Sequence, residues 1–215
     1  MDQKLLFLVN REWTHPALDW IMAAASAFEI WIIPIAALAI ALWLRGGFKG
    51  RAFLIVAALA VGLCDGVLAK NLKRAADRPR PHQALPDVRT VDLAKARFRP
   101  VALFKPLKIK MSRPAGGEID GRSFPSSHTM NTVAVALVCA AFYPRRGWLA
   151  FLPATIVAYS RVYTGSHWPS DVLGSILLGC GVTLLFLAAC EAAWRRWAPR
   201  YLSSLATTHP RLLGP

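Results

Sequence analysis

Ser160-Arg161-Val162-Tyr163-Thr164-Gly165-Ser166-His167-Trp168-Pro169-Ser170-Asp171 joins two strongly apolar segments, residues 148–163 and 170–194. It places an arginine, a histidine and an aspartate where a membrane protein normally excludes charge. Ionisable groups at such a boundary mark function by default. Pro169 disfavours a helical conformation at Trp168 and suits the first turn of the helix that follows. His167 is therefore expected just before that helix and Asp171 in its first turn, where the helix dipole favours an ionised carboxylate. Such an aspartate can hold the His167 ring in one tautomer and leave the other nitrogen free to attack. A structural His–Asp hydrogen bond is the plainer alternative. A metal site from His128, His167 and Asp171 is a weaker one, because Lys73, Arg80 and Arg161 would repel a cation.

Working outward, the 215 residues are 55% hydrophobic and 18% charged, with a net charge of +14. A soluble domain usually carries about a quarter charged residues. Here the apolar residues also fall in long runs, so the chain reads as an all-α, multi-pass transmembrane helix bundle of five to six spans. The positive charge points to membrane flanks and anionic headgroups. Nucleic acid is excluded as the leading partner, since the basic residues do not line an amphipathic recognition helix. Cys64, Cys139, Cys180 and Cys190 lie inside apolar runs without metal-ligand spacing and read as reduced, buried thiols. The run Leu5–Val9 is too short for a secretory leader.

Residues 1–14 read as a short interfacial helix. Residues 17–44, interrupted by Glu29 and Pro34, read as one kinked span or as a short helix followed by a second one, with one span favoured, and residues 52–70 as the next span. A polar connection over 71–124 is too long for a simple turn. Residues 127–143, 148–163 and 170–194 complete the spans, and Trp194-Arg195-Arg196-Trp197 forms an aromatic and basic anchor. Residues 1–197 are expected to form a single membrane domain, followed by a polar, loosely held tail over 198–215.

Consecutive antiparallel spans impose a geometric consequence. The end of the second, the start of the third, the end of the fourth and the start of the fifth must share one membrane face. Short basic flanks at Arg45, Lys49, Arg51, Arg145, Arg146, Arg195, Arg196 and Arg200 occupy the other, which marks it as cytoplasmic. The gathered face is then expected to be extracytoplasmic, although the long connection is itself basic.

Two further clusters reach that face. Lys70-Asn-Leu-Lys73-Arg74-Ala-Ala-Asp77-Arg78-Pro79-Arg80-Pro81 is either a positive flank or a set of cations for a multiply charged anion. In Ser123-Phe124-Pro125-Ser126-Ser127-His128-Thr129, Ser126 or Ser127 is a helix cap. Alternatively the free N–H groups there bind an anion, with His128 as a proton donor to it.

Together the clusters resemble the type 2 phosphatidic acid phosphatase (PAP2) superfamily. Lys73, six residues and Arg80-Pro81 fit its first motif. Pro125-Ser126-Ser127-His128 fits its second, with Ser127 in place of glycine. Ser160-Arg161, five residues, His167, three residues and Asp171 fit its third. The resemblance implies that His167 attacks phosphorus, Asp171 orients it, and His128 protonates the leaving oxygen. It implies that Lys73, Arg80, Arg161, Ser126 and Ser127 bind the phosphoryl group, supported by Pro81, Pro125 and Ser160. It implies no metal and no cofactor. The expected substrate is a lipid phosphate presented from the bilayer, at the bacterial inner membrane with a periplasmic site. Undecaprenyl diphosphate stands first. Phosphatidic acid, phosphatidylglycerol phosphate and lipid A 1-phosphate stand behind it, as does phosphoryl transfer to an acceptor other than water. Residues 82–122 mix lysines and arginines with aromatic residues and read as a lid, a membrane-surface element or an exposed loop.

Overall fold

The computed structural model describes residues 1–114 and 122–214, so residues 115–121 of the long connection lie outside the described residues. Helix α1 (Asp2–Phe7) continues into a π turn, Leu8–Glu12. It is followed by α2 (Pro16–Ser26) and α3 (Phe28–Arg45). Helix α4 (Gly47–Val61) runs through a π segment, Gly62–Ala69, into α5 (Lys70–Ala76). The connection contains α6 (Pro81–Ala84), strand β1 (Arg89–Asp92), a 3-10 turn (Arg99–Phe104) and strand β2 (Lys108–Met111). Helices α7 (Ser127–Phe142), α8 (Phe151–Tyr163), α9 (Pro169–Tyr201) and α10 (Ser203–Thr208) complete the chain.

Three helical stretches are long and apolar enough to cross a bilayer: Phe28–Arg45, Gly47–Ala76 and Pro169–Tyr201. Ser127–Phe142 is a shorter apolar helix packed between them. Helix α3 settles the environment. Its sequence is almost wholly apolar, yet Ile30 is the residue it buries. A helix that shows Ile33, Leu38, Ile40 and Leu44 to its surroundings is stable against lipid, not water.

The main core joins α4, α7 and α9 through Phe53, Val56, Ala60, Cys64, Met130, Ala134, Val138, Phe142 and Leu187. A second cluster packs Met22, Ala23 and Ile30 against Val91, Ala102 and Tyr163. A third seats Leu6 of α1 among Val88, Val162, Trp168 and Val172. Residues 1–12 are thus held by packing. Buried Asn10 adds hydrogen bonds of 2.7 Å to the carbonyls of Arg89 and Tyr163.

Three expectations need correction. The apolar run 17–44 is two helices broken at Ala27, not one span. Helix α3 passes through Pro34 unbroken. The break frees the Ser26 carbonyl, which accepts from buried Arg161 at 3.3 Å together with the Ser26 hydroxyl. The long connection is ordered over its described part: β1 and β2 pair antiparallel, Val91 opposite Ile109. The tail is also docked. Leu212 and Leu213 pack on the main core, and Glu191 Oε2 accepts from both their N–H groups at 3.0 Å.

Gly165 closes the turn after α8. Its φ of +67° is a left-handed conformation, and a Cβ there would lie 2.7 Å from Val88 Cγ1 and 2.8 Å from the Arg89 carbonyl oxygen. Strain and clash act together. Gly165→Ala should lower stability by roughly 3 kcal/mol. A thermal unfolding midpoint in detergent unchanged from wild type would contradict this reading of the turn.

Candidate active site

The four helix ends expected on one face do meet. Residues 77–80 run beside residues 122–123: Pro79 and Arg122 form a bridge, and Ser123 N–H donates to the Arg78 carbonyl at 2.7 Å. Trp168 Nε1 donates to the Pro79 carbonyl at 2.9 Å. Ser126 N–H donates to Ser175 Oγ on α9 at 2.7 Å. These bonds stitch the segment after α5 to the starts of α7 and α9.

His167 lies just before α9, 3% exposed. Its Nδ1 donates to the Ser123 carbonyl at 2.6 Å, which leaves Nε2 as the nitrogen with a free lone pair. Burial, then the charges of Arg161 and Arg80, hold this imidazole well below the ordinary value near 6.5; the Ser123 bond opposes them more weakly. Its neutral form therefore persists at neutral pH.

Asp171 is at the third position of α9 and fully buried. The direct bond to His167 inferred from spacing is not the one formed. The Nδ1–Oδ2 separation is 4.0 Å. Asp171 Oδ2 instead accepts from the Ser123 hydroxyl and from Trp168 N–H at 3.1 Å, while Oδ1 accepts from Arg78 at 2.6 Å. Asp171 thus reaches His167 through Ser123, whose hydroxyl it holds and whose carbonyl holds the ring. The reason lies in the turn: His167 N–H bonds back to the Arg161 carbonyl at 3.0 Å, while residue 123 is brought alongside by the pairing with residues 78–79.

Arg78 bridges two carboxylates, reaching Asp2 Oδ2 at 2.7 Å as well as Asp171, and lies over the Trp168 ring. Asp2 also accepts from Ser170 N–H at 3.0 Å. Burial pushes Asp2 up, but its bonds from Ser170 and Arg78 outweigh this and hold the carboxyl below its ordinary value. Sequence reasoning grouped Arg78 with the phosphate-binding cations; the structure commits it to Asp171. It gave Ser123 no role, because nothing local marks a residue whose partner is 44 positions away.

Lys73 Nζ donates to Ser127 Oγ at 3.0 Å, joining the first two motifs. The charges of Lys73, Arg80 and Arg161 all bear on His167. Among the described residues, the buried Nε atoms of Arg80 and Arg161 have no hydrogen-bond partner. Ser126 is the N-cap of α7, but its side chain caps no backbone group. It accepts instead from Thr129 Oγ1 at 3.0 Å, which leaves the first-turn N–H groups of α7 uncapped. His128 stands in that turn, its ring edge-on to Phe28. Pro81 is buried at the first position of α6, and Pro125 is buried beside Ser126. The Ser160 hydroxyl donates to the Val157 carbonyl at 2.7 Å, within its own helix. Among the described residues no group of three or more His, Cys, Asp or Glu is placed to hold a metal ion.

Behind the site, Asp19 takes two bonds from Arg89 at 2.8 and 2.5 Å and one from Tyr163 at 2.6 Å. Burial raises this carboxyl, and the Arg89 and Tyr163 bonds more than offset it, holding it below its ordinary value. The network fixes β1 and α2 to the end of α8. Glu29 pairs with Arg99 at 3.3 Å, and Asp65 is exposed in the π segment within electrostatic reach of Lys73 and His128.

Lys73, Arg80 and Arg161, the start of α7 and a buried histidine with one ring nitrogen bonded to a carbonyl make an arrangement that can bind an anion and present a nucleophile to it. The PAP2 superfamily model matches residues 50–195, and the chain belongs to this superfamily. It is 36% identical over 93 residues to the undecaprenyl-diphosphatase of Sulfolobus acidocaldarius, a match covering 42% of each protein. It is 26% identical over 211 residues to the lipid A 4'-phosphatase of Porphyromonas gingivalis, covering 97% of this chain and 79% of that one. The crystal structure of Aquifex aeolicus LpxE superposes with a TM-score of 0.60 at 24% identity, covering 87% of this chain and 94% of that one, and shares the fold. The chain spans about half or less of the length of several curated relatives it matches.

Proposed function

We propose that this protein is an integral-membrane lipid phosphatase that works through a phosphohistidine at His167. One observation carries the proposal: His167 is buried, under the charges of Lys73, Arg80 and Arg161, with Nδ1 committed to the Ser123 carbonyl, leaving Nε2 to attack.

The three cations and the first-turn N–H groups of α7 bind the phosphoryl oxygens and stabilise charge as it shifts in the transition state. Nε2 forms a bond to phosphorus as the bond to the lipid oxygen breaks, and that oxygen takes a proton from His128. The imidazole becomes cationic on phosphorylation, and the carbonyl of Ser123, whose hydroxyl Asp171 holds, stabilises that charge through Nδ1–H. His128, now neutral, takes a proton from water; the water oxygen bonds to phosphorus, the P–N bond breaks, and phosphate leaves with His167 restored. The side-chain cations supply the countercharge, so the reaction proceeds without a metal.

The first substrate choice is undecaprenyl diphosphate, cleaved to the monophosphate and phosphate. Its support is the name carried by the Sulfolobus relative. The site lies at helix ends, so a lipid can present its headgroup while its tail stays in the bilayer. The bacterial inner membrane is the expected location, with the site facing the periplasm, opposite the basic turns at Arg45–Arg51 and Arg145–Arg146. A cysteine at Lys105, labelled by an impermeant reagent in intact cells, is the expected result; labelling only after lysis overturns the sidedness.

Phosphate release by purified protein from a panel of lipid mono- and diphosphates, in EDTA, tests the function. Release from the diphosphate is expected, and loss of all activity in EDTA would contradict the mechanism. The pH dependence follows from His167. Because its folded value is lowered, the nucleophile stays neutral as pH falls from 8 through about 6.5. Single-turnover phosphoryl transfer should show no loss over that range attributable to His167. A loss centred near pH 6.5 that disappears on correcting for substrate ionisation alone supports the reading; one that persists contradicts it.

A further inference from the structure

The 3-10 turn Arg99–Phe104 holds an apolar surface that the protein does not cover. Ala102 is fully buried and roots the turn in the fold, but Phe98 is 58% exposed and Phe104 88%. Val101 and Leu103 are exposed beside them. Two phenylalanines left in water forgo the stabilisation that burial of their rings would bring. The flanking charge is one-sided: residues 93–114 carry seven cations, Lys95, Arg97, Arg99, Lys105, Lys108, Lys110 and Arg113, and no carboxylate.

The position of the turn identifies what meets it. Arg99 reaches back to Glu29 at 3.3 Å, in the first turn of α3. Helix α3 is the lipid-facing helix, and its apolar surface begins at Phe28 and Trp31. The turn therefore lies at the level where the chain enters the bilayer, beside the ring of Phe28 that touches His128. Aromatic residues at that depth, with cations on the polar side, have the composition of an interfacial anchor.

We propose that Phe98–Lys105 is a membrane-surface anchor that inserts Phe98 and Phe104 among the headgroups of anionic lipids in the bilayer holding the chain. Lys105 and the flanking cations Lys95 and Arg97 meet the lipid phosphates, as basic residues do at an anionic surface. The anchor presses the rim of the site onto the headgroup layer from which a lipid substrate would come.

The test places a nitroxide label on Phe104→Cys, in full-length protein whose four native cysteines are replaced by serine or alanine. The protein is reconstituted in phosphatidylcholine vesicles with and without phosphatidylglycerol. Collision rates with oxygen, which concentrates in lipid, and with a water-soluble nickel chelate are read by electron paramagnetic resonance. We expect high oxygen and low nickel accessibility, with their ratio rising severalfold when phosphatidylglycerol is added. High nickel accessibility in both vesicles would place Phe104 in water and overturn the anchor. Low accessibility to both reagents would mean that protein, such as a second copy of the chain, covers it, and would also overturn the proposal. A ratio indifferent to phosphatidylglycerol would overturn the role of the cations. None of these readouts requires catalysis, so the result is independent of the proposed phosphatase activity.

Discussion

Replacing His167 with alanine should abolish phosphate release, by a factor of at least about 10⁴, while leaving the helical fold and detergent-solubilised stability close to wild type. Among the described residues the ring makes one hydrogen bond, to the Ser123 carbonyl, and Ser123 keeps its N–H bond to Arg78 and its hydroxyl bond to Asp171 when the ring is removed. The surrounding cations remain, so binding of a phosphorylated lipid should survive and strengthen, because the variant retains Lys73, Arg80 and Arg161 without turnover. Equilibrium binding measured beside single-turnover kinetics separates the two effects. Residual turnover within a hundredfold of wild type would assign the nucleophile elsewhere.

The second large effect concerns Asp171. In a direct carboxylate–histidine pair, amide replacement costs about 10⁴ in kcat. Here the carboxylate acts through Ser123, so Asp171→Asn should cost less, on the order of 10². It puts an amide in place of a fully buried carboxyl group that accepts from Arg78, Ser123 and Trp168, and leaves Asp2 as the carboxylate paired with Arg78, which also keeps its bond to Ser170. Ser123→Ala isolates the connection. The backbone carbonyl remains and still accepts from Nδ1, but nothing ties it to Asp171. Its expected cost is about tenfold in kcat with KM little changed. The double variant should be no slower than Asp171→Asn, because both changes cut one path. Additive losses would mean that Asp171 acts on His167 without Ser123.

This path also marks where sequence reading stops. The identities of Lys73, Arg80, His128, Arg161, His167 and Asp171 were legible, because each sits at a fixed spacing beside a helix end. Their assembly on one face was legible too, since antiparallel spans admit one arrangement of ends. The partner of His167 was not. Spacing put Asp171 nearest, but the ring takes the nearer acceptor that the 78–79 and 122–123 pairing supplies, and that pairing depends on a connection without periodicity. The break at Ala27 was hidden for a related reason. Continuous apolar sequence from Ala17 to Leu44 favours one helix, and it yields to a distant need, the buried Arg161 guanidinium that bonds to Ser26. The docking of Leu212 and Leu213 was likewise set by Glu191, a tertiary partner 21 and 22 residues away.

The connection follows the same rule. Its basic and aromatic content was visible, but its order comes from contacts with other elements. Asn10, Asp19 and Tyr163 hold Arg89, and Val88 and Val91 are fully buried. Composition described the surface of this segment; packing decided that it is a hairpin with a rooted 3-10 turn.

The central claim is a covalent bond between phosphorus and His167 Nε2. Lipid substrate carrying a ³²P label at the phosphoryl group to be transferred, mixed with excess purified protein and quenched in alkali within milliseconds, tests it directly. The account predicts base-stable, acid-labile label on the protein, mapped by mass spectrometry to the peptide containing His167, forming and decaying at rates fast enough to carry turnover. Turnover with no label on the protein, or label on a peptide lacking His167, would contradict it.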